Sequence, residues 1–575
     1  MKNFFKKYWA ELIAFGAIFG VLLICCIPDI TWINTDCDGP HYIYSAKYLY
    51  PAHKTSAPLF LLLGNLFLRL PVGLEAWRFA MFSVLATMGT CIFVYLSIKW
   101  HTSNKWHLLA GVLIFGSSAL VISQSTIIET YALVTMFGAA AYYFSLKRKW
   151  VLTALMLGAG GAVHHLIGIP ILVLLVANKE LRNWKYLGIM GSFLLFYLYI
   201  PITNRPPYMW QSANTELGAS FLADNLSTMF MLWGGLSIWE LPKRVLDAVG
   251  ILGVSLGLAS VLLLCIKWSK RNPLTWLFLL PAVYYATNLA PQTYVYMMPS
   301  IAAGAVIVGI GLSRMKRQWT WTVIGIAVIM LGFNANYFDV GRTLDSELSA
   351  RKFWSEELSK VPDGHILLAQ QGWEWAMVYP YNKDNDRNII PICTGTLASK
   401  QYQNTLREWE IEFEVPEGKP TLVELQNCII QSIADSNDNV WATFPSDIRT
   451  YGAIIEPIKY TVTKETEKWF PYTEGTSFFG NANYERLLND LVVPQGITDG
   501  SRDMQWVFNS SNPYDIITGA IEVEEWIYII FSNYTVSTFT MLGTIGAVPI
   551  WIGWMLFVRK KKWRLRWRNT TTELQ

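Results

Sequence analysis

The sequence predicts a mainly α-helical, polytopic membrane protein of about twelve transmembrane helices, with an α/β domain outside the membrane. Three observations predict it. Of 575 residues, 53% are hydrophobic and only 15% charged, where a soluble domain carries about 25% charged residues. Apolar runs close to a bilayer's thickness recur along the chain. Basic clusters fall on alternate short connections, and one long polar segment separates the last two runs. This composition excludes a disordered chain, a secreted disulfide scaffold and a simple soluble enzyme. A formal net charge of +4 is too small at this length to argue for nucleic acid. The seven cysteines form no CxxC pair, so they carry no metal or redox signature.

The first run, 9–27, follows Lys2, Lys6 and Lys7 and lacks a small-residue cleavage pattern, so it reads as a retained signal anchor. Further runs lie at 76–98, 108–123, 131–146, 151–163, 166–177, 186–202, 246–266, 274–289, 297–312, 319–333 and 536–558. Alternate connections are basic: Lys99 and Lys105, Lys147 to Lys149, Lys179 with Arg182 and Lys185, Lys267 with Lys270 and Arg271, Arg314 with Lys316 and Arg317. The tail from Arg559 repeats the pattern. All fall on one side, which places both termini in the cytoplasm of a multi-pass protein: the cell membrane in a prokaryote, the endoplasmic reticulum in a eukaryote. The tail reads as a topology anchor holding anionic lipid.

The expected organisation is a membrane module over 1–333 with eleven spans and outer loops at 28–73 and 203–244, an extracytoplasmic domain over 334–533, and a last span with a basic tail over 534–575. Within the outer domain, helix-like stretches at 344–359 and 421–434 alternate with strand-like runs at 365–369, 388–392 and 440–444, the mark of an α/β layer. Its two cysteines, Cys393 and Cys428, are candidates for a disulfide in an oxidising compartment, with Cys37 a third candidate on that side.

The chemistry is expected just past the first span, where Asp36 and Asp38 flank Cys37 and precede Gly39 and Pro40. Two carboxylates one residue apart can accept a proton or hold a divalent cation through oxygen ligands. Asp followed by Gly also opens ordinary solvated turns, which is the structural alternative. Glu129, between apolar Ile127 and Ile128 and the run opened by Tyr131, is costly at a membrane boundary unless it faces a polar cavity. Its structural alternative is an acid at a helix start.

Downstream, His53, Lys54, Pro58 and Leu59 lead into an apolar stretch, and Ala76, Trp77 and Arg78 open the second span. Glu129, Thr130 and Tyr131 stand at the outer end of the third span, and His164 and His165 at the outer end of the fifth. Tyr199 to Trp210, Tyr294, Tyr296 and Pro299 come next, then His365 to Tyr381 with Trp373, Glu374 and Trp375. In this order the motifs resemble the GT-C superfamily of polytopic glycosyltransferases, which share an acidic motif in the first outer loop, a Pro-Leu amphipathic helix and an arginine at the head of the next span. The nearest likeness is to the plexin-type protein O-mannosyltransferase branch and its prokaryotic relatives.

The resemblance implies an inverting glycosyltransferase that moves a sugar, with mannose as the candidate, from a polyprenyl-phosphate donor to a protein, glycan or lipid acceptor on the non-cytoplasmic side. It implies Asp36, Asp38 and Glu129 as catalytic, and Lys54, Arg78, His164, His165 and Tyr294 near the donor phosphate. Arg205 and Trp210 would meet the acceptor or sugar. No cofactor is implied, though Asp36 and Asp38 are the pair that would hold a divalent cation. The partners are the lipid-linked sugar, the acceptor and the bilayer, without nucleic acid. Bland readings stand beside these: Lys54 and Arg78 as snorkelling cations, the histidines as packing residues, Tyr294 and Tyr296 as an aromatic belt. The Asp-Cys-Asp spacing is not the Asp-Glu pair of the lipid-A aminoarabinose transferase type, so the base is either Asp36 or Asp38. Neither a beta-trefoil signature nor a WWD-type motif is visible. Two other functional classes compete: a transporter or flippase of lipid-linked sugars, and a non-catalytic sugar-binding membrane protein. Few charges lie inside spans and no internal repeat is evident, which favours the enzyme over the transporter.

Overall fold

The computed structural model describes residues 2–27, 38–49, 57–198, 273–287 and 293–337, much of 355–442, and residues 456–457. Helices dominate. The membrane module comprises α1 (Lys2–Cys25), α2 (Asp38–Tyr48), α3 (Pro58–Leu68), α4 (Glu75–His101), α5 (Lys105–Gly116), α6 (Ala119–Ser125), α7 (Tyr131–Leu146), α8 (Trp150–Gly161), α9 (Gly168–Ala177), α10 (Trp184–Ser192), α11 (Pro273–Thr287), α12 (Met298–Leu312) and α13 (Arg317–Tyr337). The expected spans at 246–266 and 536–558 and the ends of 186–202 and 274–289 lie outside the described residues; the other runs are helical, 108–123 as two helices. By length and apolar character, four described helices can cross a membrane, or five with a bent pair counted as one span; the other apolar helices are shorter.

The bent pair corrects one expectation. Residues 108–123 do not form one straight span, because α5 and α6 meet at a 63° bend. Gly116, Ser117 and Ser118 occupy the break, where Ser118 takes extended backbone angles. A carbonyl released inside a membrane needs a substitute donor, and Asn334 of α13 supplies it: its amide donates to the Ser117 carbonyl at 2.7 Å.

The two ends of the bundle differ in chemistry. At one end Lys105 lies over Trp9 and Trp106 (5.4 and 4.9 Å to the ring centres), Lys147 over Trp100 (4.2 Å) and Arg317 over Trp321 (5.9 Å). Trp106 in turn packs on Trp9 and Trp321. Lys105, Lys147 and Arg317, from three of the basic connections, thus each lie over an indole, a pairing suited to a membrane interface. At the opposite end the chain passes tightly from helix to helix. Ile27 N–H donates to the Thr126 carbonyl and Leu59 N–H to the Ala162 carbonyl, both at 3.0 Å.

Beyond that end lies a sheet of four parallel strands, β1 (Ile366–Ala369), β2 (Ile390–Cys393), β3 (Val440–Ala442) and β4 (Glu456–Pro457), in the order β2-β1-β3-β4. Three coincide with the strand-like runs of the sequence. A parallel sheet needs cover on both faces, and alternate residues of β1 provide it. Leu367 joins a core continuous with the membrane helices. Ile366 and Leu368 join a second core with Tyr402 and Leu406 of α14 (Lys400–Glu408) and with Ile429, Ile430 and Ile433. The expected pairing of Cys393 with Cys428 is not formed: Cys428 is an exposed free thiol.

Candidate functional site

Each connection at the sheet-facing end brings a polar group into a mostly apolar bundle. Asp38 is the first residue of α2, and a helix start favours an acid through the exposed N–H groups and the helix dipole. The helix is buried rather than a solvated turn: His41, Tyr42 and Tyr44 are all 2% exposed or less. Tyr42 packs edge-on to Phe60 of α3 (ring centres 5.1 Å apart), and Asn65 donates to the Ala46 carbonyl at 2.8 Å. Pro58 sits in the first turn of α3, where its missing N–H costs nothing.

Glu129 lies in the short connection from α6 to α7 and is buried at 4% exposure. Its Oε2 accepts from Thr130 N–H at 3.1 Å, and its carbonyl accepts from Ser83 of α4 at 3.3 Å. One turn further along α4, Thr87 and Ser125 share a hydrogen bond of 2.5 Å. The acid therefore opens α7 and is held by a polar seam between α4 and α6. Two residues on, Tyr131 reaches a cluster of rings formed with His164, His165 and Tyr296. Tyr131 stands 5.3 Å from His164 and 5.9 Å from Tyr296; the two histidines are 4.1 Å apart, and each is 5.7 Å from Tyr296. Tyr284 of α11 completes the group at 5.5 Å from Tyr296.

His164 is placed by its own backbone. It precedes a 3₁₀ turn (His165–Ile167), and its Nδ1 accepts from Leu166 N–H at 3.1 Å. In the neutral ring the donor is then Nε2. The Nε2 of His165 is buried and has no hydrogen-bond partner among the described residues. Imidazole and phenol groups gathered in this way form a set that can hold an oxyanion and exchange a proton.

The structure thus brings His164 and His165 together with Tyr131, which follows the buried Glu129 by two residues. Arg78 is turned toward the connection from α3, where its guanidinium donates to the Leu70 carbonyl. The backbone of Tyr294 lies in a 3₁₀ turn (Thr293–Met297), two residues before Tyr296. Asp36, Lys54, Arg205, Trp210 and the side chains of Asp38 and Tyr294 lie outside the described residues. Sequence reasoning did not choose His41, Tyr131, Tyr284 or Tyr296 as site residues. The signal for Tyr296 was its spacing from Tyr294; Tyr284 carried none, because only the packing of α11 on α12 delivers it.

Two charged groups outside the spans are also defined. Burial works against the charge on Lys47, but the hydrogen bond and charge of Glu75 outweigh it and raise its pKa above the usual lysine value. On the sheet domain, Asp363 accepts from Asn388 N–H at 2.9 Å and Arg387 Nε at 2.8 Å, which holds its carboxyl below the usual range.

Residues 38–185 match the family model described as the protein O-mannosyl-transferase TMEM260 N-terminal domain. Over those residues the chain is similar to that O-mannosyl-transferase domain. The O-mannosyltransferase-like stretch runs from the first residue of α2 into α10, so it contains Arg78, Glu129, Tyr131 and both histidines. No curated protein sequence matches the chain. Among solved structures, ArnT from Cupriavidus metallidurans bound to undecaprenyl phosphate is similar with a TM-score of 0.46 at 11% identity, covering 67% of this chain and 90% of that one. The apo form of that protein gives 0.46 at 11% identity over 69% and 92%. The Archaeoglobus fulgidus oligosaccharyltransferase tethered with an acceptor peptide gives 0.42 at 11% identity over 76% and 72%.

Proposed function

We propose that this protein transfers a sugar, with mannose as the first candidate, from a polyprenyl-phosphate carrier to a protein or glycan hydroxyl on the non-cytoplasmic side of the membrane. The observation that carries the reading is the meeting of Tyr131, two residues after the buried Glu129, with the paired histidines, inside the stretch that matches the O-mannosyl-transferase family model. The positive-inside rule gives the end opposite the basic connections the outer side. A lipid-linked phosphate rests at headgroup depth, and imidazole and phenol donors suit its oxygens.

In the proposed reaction the acceptor hydroxyl gives its proton to a carboxylate and its oxygen bonds the anomeric carbon. The bond from that carbon to the phosphate oxygen breaks on the opposite face, inverting the centre and releasing polyprenyl phosphate. Asp36 is the proposed base, with Asp38 supporting it and Lys54 holding the phosphate. The scheme needs no metal. The test is transfer of labelled sugar from a polyprenyl phosphate by the purified protein. Asp36→Asn is expected to lower turnover on the order of a hundredfold to ten-thousandfold with donor affinity retained, whereas Lys54→Ala weakens donor binding. Unchanged turnover in Asp36→Asn would overturn the assignment of the base, and loss of transfer on chelation would replace this scheme with a metal-assisted one.

A further inference from the structure

An ion-paired lysine joins the sheet domain to the membrane module. Lys47 lies in the last turn of α2. Its Nζ is 3.0 Å from Glu75 Oε1, at the head of α4, and 3.3 Å from Asp384 Oδ1, in the segment leading into β2. The lysine and Glu75 are largely covered, with side chains 27% and 20% exposed, while Asp384 is half exposed. Among the described residues these are the ion pairs that join the two parts of the chain.

The segments on either side of this lysine are tied by hydrogen bonds. The C-terminal end of α2 is tied to α3 by Asn65. The segment carrying Asp384 is stapled on itself: Asn385 donates to the Tyr381 carbonyl at 2.8 Å, and Asn382 both donates to the Ile389 carbonyl (2.7 Å) and accepts from Ile389 N–H (3.1 Å). Tyr381 and Val378 enter the same core as Tyr42 and Ile43 of α2. At the far end of the same helix stands Asp38, about 14 Å away at 1.5 Å of rise per residue. A stiff helix gripped at Lys47 cannot tilt without moving its acidic start.

From this geometry we infer that Lys47 is a positioning residue for the proposed transfer reaction: by bridging Glu75 and Asp384 it fixes α2 between α4 and the sheet domain, and so sets where the acidic start of α2 stands. The inference rests on the transferase reading, and its test keeps the two apart. Two measurements are made on the full-length protein in nanodiscs with Lys47→Ala, Lys47→Arg, and the exchanged pair Lys47→Glu with Asp384→Lys, the last combined with Glu75→Gln so that the new carboxylate meets no like charge. The first is hydrogen exchange across α2 and residues 381–389, which needs no substrate. Lys47→Ala is expected to exchange about tenfold faster in both segments together, with the exchanged pair returning toward wild type. The second is transfer from a polyprenyl-phosphate mannose to a peptide. Lys47→Ala is expected to lower kcat by about tenfold to a hundredfold with donor KM little changed, since misplacement of about 1 Å costs that much, and Lys47→Arg and the exchanged pair recover most of it. A wild-type protein that transfers nothing would fail the transferase reading, while coupled exchange would still uphold the bridge. Unchanged exchange in Lys47→Ala, or a loss of activity that neither Arg nor the exchanged pair restores, would overturn the inference.

Discussion

At the scale of single residues, the bundle is held where backbones touch. Gly111 of α5 faces α12 so closely that an added Cβ would stand 2.7 Å from the Ala305 carbonyl oxygen, a contact that small residues permit between membrane helices. Gly111→Ala is expected to destabilise the protein by about 1 to 3 kcal/mol through overpacking, read as a lowered unfolding temperature in detergent. Gly16→Ala, where nothing lies within 4 Å, should leave that temperature almost unchanged. Asp363 gives a pH prediction of defined sign. Its folded pKa is depressed below 3.8 by the Asn388 N–H and then by Arg387, so its contribution is present above that value and is lost as pH falls through the folded pKa. Acid titration of wild type against Asp363→Asn should therefore show a stability difference at neutral pH that closes in strong acid; a difference constant down to the lowest pH would contradict it.

At the scale of elements, the break between α5 and α6 is the feature to test. The Ser117 carbonyl, freed at the bend, has Asn334 as its donor, and the same helix end approaches α1, where Cys25 contacts the Ala335 carbonyl. Asn334→Leu keeps the branched shape and removes the donor. It should cost about 1 to 3 kcal/mol, the penalty of an unsatisfied buried group, and loosen exchange in α6, which leads directly to Glu129. Normal stability in that variant would mean that the bend is held by the serines alone. The bend itself was hidden in the sequence, because an unbroken apolar run reads the same whether or not its helix turns.

At the scale of the whole molecule, the basic connections and the ring cluster define two ends. Reporter fusions after Arg148 and inside residues 334–533 should therefore fall on opposite sides of the membrane. The same side for both would refute the orientation, and with it the non-cytoplasmic site. The sheet domain shares one apolar core with the membrane helices through Leu367 and Tyr381 and is joined to α2 through Lys47.

The sequence by itself determined the features that local composition and period control. Apolar runs define helices, alternating basic connections define ends, and short β-rich runs at 365–369, 388–392 and 440–444 define strands, because each depends on neighbours within one turn or one strand. It also picked out Glu129 and the histidine pair, since charge and imidazole at the margin of an apolar run conflict with burial in lipid. Only the tertiary structure decided which groups meet. Tyr131, Tyr284 and Tyr296 join the histidines, Asn334 serves a carbonyl two hundred residues earlier in the chain, Cys428 stays unpaired, and Lys47 finds Asp384. The physical reason is common to all of them. Such contacts lie between elements remote along the chain, and helix packing creates them without leaving any mark in the local pattern of either partner.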